Sequence, residues 1–209
     1  MSRLQLMGGV AGGANALVGV ATLLVALLLI GPDVLADRTR FIALAMSNPT
    51  PIIIQDVLKF VAAASTSVLL LVFFQRLRTT RPLLLYIASL SGMLAVLCLL
   101  ANAMLSLIAV NQAQANNPSG ELGAHLNTII SLLAMAISVT NGGWYLLVHW
   151  AAWQTGSLPN GLSSLGMAIG ILSLIPILGL IVLILIIIWS LWLCRFLLSD
   201  RAARQDQKQ

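Results

Sequence analysis

Apolar runs long enough to cross a membrane recur along this chain, and they leave it few folds to choose from. A membrane-spanning helix needs roughly 20 consecutive, mostly apolar residues. Runs of that kind cover 8–30, 52–75, 82–110 and 121–153, and a longer one covers 162–198. Only 8% of the 209 residues are charged and 59% are hydrophobic, where a soluble domain is about one quarter charged. Hydrocarbon offers the backbone no hydrogen-bond partners, so each run must satisfy its own N–H and C=O groups as a helix. The expected fold is all-α, a polytopic transmembrane helical bundle forming one domain over 1–198, with a short cytoplasmic tail over 199–209. The formal charge of +5 comes from basic residues at the ends of apolar runs, which points to membrane topology and the lipid bilayer as partner, with no nucleic acid. Arg3 precedes the first apolar run and Val34-Leu35-Ala36 resembles a cleavage site, but the run exceeds the 7–15 residues of a signal core and reads as a retained first span.

The stretch 162–198 decides the number of spans. As one helix it would be about 55 Å long against a hydrocarbon thickness near 30 Å. Pro176 and Gly179 lie near its middle, so it reads as two short spans joined by a turn over 175–179. Placing Arg76, Arg78 and Arg81 in the cytoplasm brings Arg195, Arg201, Arg204 and Lys208 there only if the number of spans is even. Six spans with both termini cytoplasmic follow; five with a long kinked last helix is the alternative.

Helical faces carry the remaining information. Gly8, Gly12, Ala16 and Gly19 recur at three- to four-residue steps, a spacing that lets helix backbones approach within the fold or, alternatively, in a homo-oligomer. Segment 38–46 fits a short interfacial helix. Asp56 and Lys59, three residues apart, can pair on one helix face. Ser91, Ala95, Cys98, Asn102 and Ser106 form one small, polar face, with Asn102 its strongest hydrogen-bonding member. On 121–153, Asn127, Ser131, Ser138, Tyr145 and His149 fall in one narrow sector, with Asn141 and Gly142 beside it. Polar groups in hydrocarbon need partners, so this stripe is expected to face protein or a ligand. Trp150, Trp153, Trp189 and Trp192 suit an aromatic belt at one boundary.

Few chemistries fit these residues. His125 and His149 are conceivable axial ligands for haem or chlorophyll, alone or with Met93, Met104 or Met135. They lie about 36 Å apart along a straight helix, so no cofactor and no metal is predicted and axial ligation is the minor alternative. Phosphate loops, HExxH and GxSxG are missing from the sequence. Every acid lies in a loop, a tail or near a span end, against coupled ion pumping.

Gly143-Trp144-Tyr145, then Trp153-Gln154-Thr155-Gly156-Ser157-Leu158-Pro159 and Leu165-Gly166, resemble an uncharacterised bacterial family of multi-pass membrane proteins, the domain-of-unknown-function 4386 type. That resemblance implies about six spans, with the Gly156 to Gly166 stretch joining the fourth and fifth, and implies no activity. Members of that family often carry an arginine inside the third span; here 88–96 is uncharged. Together the readings predict a non-enzymatic protein of the bacterial inner membrane, an accessory or regulatory subunit of another membrane protein or a binder of a lipid-like ligand. The alternatives are a pigment or cofactor protein using His125 or His149, a small enzyme with a site at the membrane boundary, and a thylakoid or similar internal membrane as its location.

Overall fold

The computed structural model describes residues 3–78, 82–115 and 121–206, and every regular element among them is helical. Helix α1 (Arg3–Leu24) continues into a π-helical turn, Val25–Ile30, which the Gly31 N–H closes on the Ala26 carbonyl at 3.0 Å. Gly31 sits at φ 88°, a conformation open to glycine, and so ends the span. Pro32 starts the short α2 (Pro32–Ala36). Asp37 caps α3 (Arg38–Ser47) by accepting from the Thr39 and Arg40 N–H groups. The expected interfacial helix is α3. Its Phe41, Leu44 and Ala45 pack on Ile52 and Val110.

Four long helices and one short one complete the chain: α4 (Thr50–Leu77), α5 (Pro82–Ala115), α6 (Glu121–Thr155), α7 (Asn160–Ser173) and α8 (Gly179–Asp206). Helix α5 runs beyond the expected 110, and α8 runs into the tail expected from 199. Among the described residues, five helices are long and apolar enough to cross a membrane. Between α6 and α7 the chain stops on Gly156 at φ 61°, with the Ser157 N–H bonded back to the Ala152 carbonyl. Between α7 and α8 lies the predicted break, a 3₁₀ turn over Pro176–Leu178. The turn is apolar, yet the N–H groups of Leu174, Ile175 and Leu178 find the carbonyls of Ile171, Leu172 and Ile175, which answers the demand that hydrocarbon makes of an irregular backbone.

Neighbouring helices are antiparallel. Gly8 of α1 meets Val72 and Leu197, while Gly19 further along meets Ile187. Gly166 lies on His149 and Gly170 on Gly142, so α7 returns along α6, and its first turn meets Trp192 of α8 through Gly161. The 162–198 stretch thus folds back as a hairpin, the arrangement underlying the six-helix count, and does not continue as one kinked helix. At 14 residues, α7 is about 21 Å long, short of the hydrocarbon thickness on its own. Helix α1 lies between α4 and α8, α6 lies between α5 and α7, and the two groups of three join chiefly along α4 and α5.

Arg3, Arg76, Arg78 and Arg195 gather at one end of this bundle. There the Arg76 guanidinium donates to the Ser157 carbonyl at 3.0 Å and lies over the Phe196 ring. Arg81 and Lys208, and the second half of the stretch 111–120 that separates the third and fourth apolar runs, lie outside the described residues. The packed core occupies the arginine half: Phe73 and Leu77, Leu85 and Ala88, Trp144 and Val148, Leu162, Trp189 and Leu193. Trp150, Trp153 and Trp192 are exposed as a boundary belt requires, but Trp189 is 0% exposed and belongs to the core.

Candidate functional site

The predicted ion pair exists and is more than a pair. Lys59 Nζ donates to Asp56 Oδ1 at 2.7 Å and to Asn102 Oδ1 at 2.9 Å, and Asn102 Nδ2 donates to the Ile130 carbonyl at 2.9 Å. Three helices meet there, with Asp56 only 1% exposed. Its Oδ2 has no hydrogen-bond partner among the described residues. Lys59 is nine residues into α4, about 13 Å along it, in the half of the bundle away from the arginines.

The α6 stripe is divided. In its first half the side chains turn back on their own helix: Ser131 Oγ donates to the Asn127 carbonyl at 2.9 Å and Ser138 Oγ to the Ala134 carbonyl at 3.2 Å. Ser131 is exposed. The α7–α8 hairpin is too short to cover this part of α6, and a hydroxyl can satisfy itself on the preceding turn. In the second half Tyr145 and His149 enter the core. His149 Nδ1–H donates to the Tyr145 carbonyl at 2.7 Å. Its ring stacks on Tyr145, meets Trp189 edge-on at 5.1 Å and lies against Phe73. The space a side chain at Gly166 would need is filled by the same ring. His149 is thus enclosed, while His125 is exposed near the other end of α6 and Met93, Met104 and Met135 are exposed as well. The two histidines are not brought together, and among the described residues no cluster of three His, Cys, Asp or Glu converges.

Above the aromatic core the helices part. A mostly apolar cavity of about 260 Å³ is ringed by five helices. Asn15, Gly19 and Thr22 come from α1, Lys59, Ala62 and Thr66 from α4, Ala95 from α5, Asn141 and Tyr145 from α6, and Leu183 and Ile186 from α8. Asn15 is anchored: its Nδ2 donates to Ser190 Oγ at 2.9 Å, and its Oδ1 accepts from Ser65 at 3.3 Å, tying α1 to α8 and α4. By contrast, the side chains of Asn141, Tyr145, Thr22 and Thr66 have no hydrogen-bond partner among the described residues. Asn141 and Tyr145 are one turn apart, so their polar ends share a wall. A second cavity, about 290 Å³, adjoins the first between α6 and α8; Ile137, Asn141, Leu183 and Ile186 line both.

This arrangement joins part of the stripe to residues the sequence reading did not weigh as a site. Tyr145 lines the central cavity and Ser138 the second one. Asn102 and Asp56 reach the central cavity only through Lys59, and Asn127, Ser131 and His149 do not line it. Asn141, placed beside the stripe by its angle on α6, joins Tyr145 in this wall, whereas Thr22 and Thr66 carry no signal in the sequence that singles them out. Antiparallel helices of span length around a mostly apolar interior with a few polar side chains are those of a multi-pass membrane protein. No family model, curated protein or solved structure matches the chain; the likeness to the multi-pass family rests on the residues quoted for it.

Proposed function

We propose that this protein is a non-enzymatic binder of a lipid-like molecule, held in the central cavity. The observation that carries this reading is a mostly apolar cavity among span-length helices into which four hydrogen-bonding side chains bring no protein partner among the described residues. Such a combination of apolar wall and few convergent polar groups is the general form of a small-molecule site. The arginine-rich end marks the cytoplasmic side under the positive-inside tendency, with both termini there, and a bacterial inner membrane is the setting that the family resemblance supports.

The test is retention. Protein extracted in a mild detergent should carry a co-purifying small molecule by native mass spectrometry, and Ala62→Phe, which fills the cavity from the α4 wall, should lose it while keeping its size-exclusion profile. Equal retention by the wild type and the filled variant would overturn the reading. A visible absorption band on the retained species would move the assignment to a pigment, with His125→Ala and His149→Ala as the next variants.

A further inference from the structure

The two cavities share four lining residues along the line where α6 faces α8. Resting on the binding reading above, we infer that they form one site for a single-chain lipid with an uncharged, hydrogen-bonding head. The head lies against Asn141 and Tyr145. The chain leaves between Ile137, Leu183 and Ile186, and the seam between α6 and α8 is its entrance from the bilayer.

Size argues for the continuity. Small-molecule pockets commonly measure about 300–1,000 Å³. The central cavity, at about 260 Å³, can enclose a polar head and the first part of a chain but not a whole lipid. The adjoining space continues over the α7–α8 turn, lined by Ser173, Ile175 and Gly179. That turn is where the bundle wall is lowest: α7 ends at Ser173, and beyond it α6 is left uncovered, with Leu132, Met135 and Val139 exposed. A molecule lying in the bilayer therefore meets the seam without passing through an aqueous phase.

Charge argues for the class of head. Lys59, the cation lining the central cavity among the described residues, already donates to Asp56 and Asn102, so this pair of ionised groups cancels. A charged head would have to be desolvated without a counter-charge, at a cost of several kcal/mol per ion. An alcohol or carbonyl head meets no such cost. The Asn141 amide offers both donors and an acceptor, and the Tyr145, Thr22 and Thr66 hydroxyls offer either role.

The experiment uses full-length protein in dioleoylphosphatidylcholine vesicles and two photoactivatable probes carrying the same mid-chain diazirine, hexadecanol and hexadecyl sulfate. Expected is hexadecanol labelling of peptides spanning 137–145 and 182–186, with little labelling by the sulfate. Tyr145→Phe, which keeps the ring and removes one hydrogen bond, should weaken that labelling about fivefold. Leu183→Trp, which blocks the seam, should weaken labelling of 137–145 by about tenfold or more at unchanged unfolding midpoint. Labelling of 137–145 that is indifferent to Leu183→Trp overturns the lateral route and leaves the binding reading standing. Equal labelling by the sulfate overturns the uncharged head. Absence of hexadecanol labelling at both segments in folded protein, with no co-purifying molecule, overturns the binding reading and this inference with it.

Discussion

Replacing Gly170 by alanine should destabilise the bundle although it adds only one methyl group. The new Cβ would lie 2.7 Å from the Leu146 amide nitrogen, 2.8 Å from the Gly142 carbonyl oxygen and 3.0 Å from the Leu146 Cα. All three are backbone atoms, so no rotamer change relieves the clash and α7 must move off α6. Overpacking of this kind costs about 1–3 kcal/mol. The opposing gain, alanine over glycine in a helix, reaches about 1 kcal/mol in water, but it shrinks in hydrocarbon, where the separated helices stay helical. The expected net loss is therefore about 1–3 kcal/mol. Gly13→Ala is the matched control, because its Cβ would meet only Cys194 Sγ at 3.4 Å, an ordinary contact, and its effect should stay within about 0.5 kcal/mol. The assay is reversible unfolding of detergent-solubilised protein by dodecyl sulfate, followed by tryptophan emission. Wild-type stability in Gly170→Ala, or equal losses in both variants, would refute the backbone-contact argument for the α6–α7 pair.

Other perturbations address the polar clusters by the same assay. Lys59→Met should cost about 3–5 kcal/mol, because it strips the partner from a carboxylate that is 1% exposed, whereas Asp56→Asn with Lys59→Met should recover most of it by removing the charge; equal losses in the single and double variants would contradict a desolvated pair. Asn15→Leu should cost about 1–2 kcal/mol by breaking the bonds that hold α1 to α8 and α4, and a neutral result would mean that these bonds are replaced by others in the lipid-solvated state.

The span-length runs and the break near Pro176 were legible because apolar length and helix breakers act locally, and both survive in α1, α4, α5, α6 and the α7–α8 hairpin. Asp56 and Lys59 were legible for the same reason, being one helical turn apart. Their third partner was not: Asn102 was recognisable as a contact residue, but its register against Lys59 depends on how α4 slides along α5. The α6 stripe shows the limit most clearly. Angular position on one helix predicts a shared face, yet burial of that face depends on the height of the neighbours. Helix α7 ends at Ser173, so Tyr145 is covered and Ser131 is not. The cavity was hidden because its wall comes from five helices and depends on the small residues Gly19, Ala62 and Ala95 meeting at one level.

Energetics favour an amphipathic occupant over either an empty or a wholly wet cavity. Left unfilled, a space of about 260 Å³ deprives its apolar walls of packing contacts. The Asn141, Tyr145, Thr22 and Thr66 side chains have no hydrogen-bond partner among the described residues, and an apolar occupant that closed any of them off from water without bonding it would cost about 1–3 kcal/mol. Water alone satisfies such groups only where each molecule finds two to four polar partners, a condition that the mostly apolar walls of Val18, Leu58, Leu69, Val96 and Leu99 do not meet away from Asn141 and Tyr145. A chain that packs against those walls and ends in a hydroxyl or carbonyl removes both costs at once. The compact aromatic core of the arginine half provides the rigid floor: Trp144 and Tyr145, their rings 4.7 Å apart, sit at the boundary between the two halves and line the cavity from below. Loosening that floor should therefore weaken ligand retention even when no cavity polar group is touched, and Phe73→Ala, which removes the ring beneath Trp144, is the variant in which retention and stability should fall together.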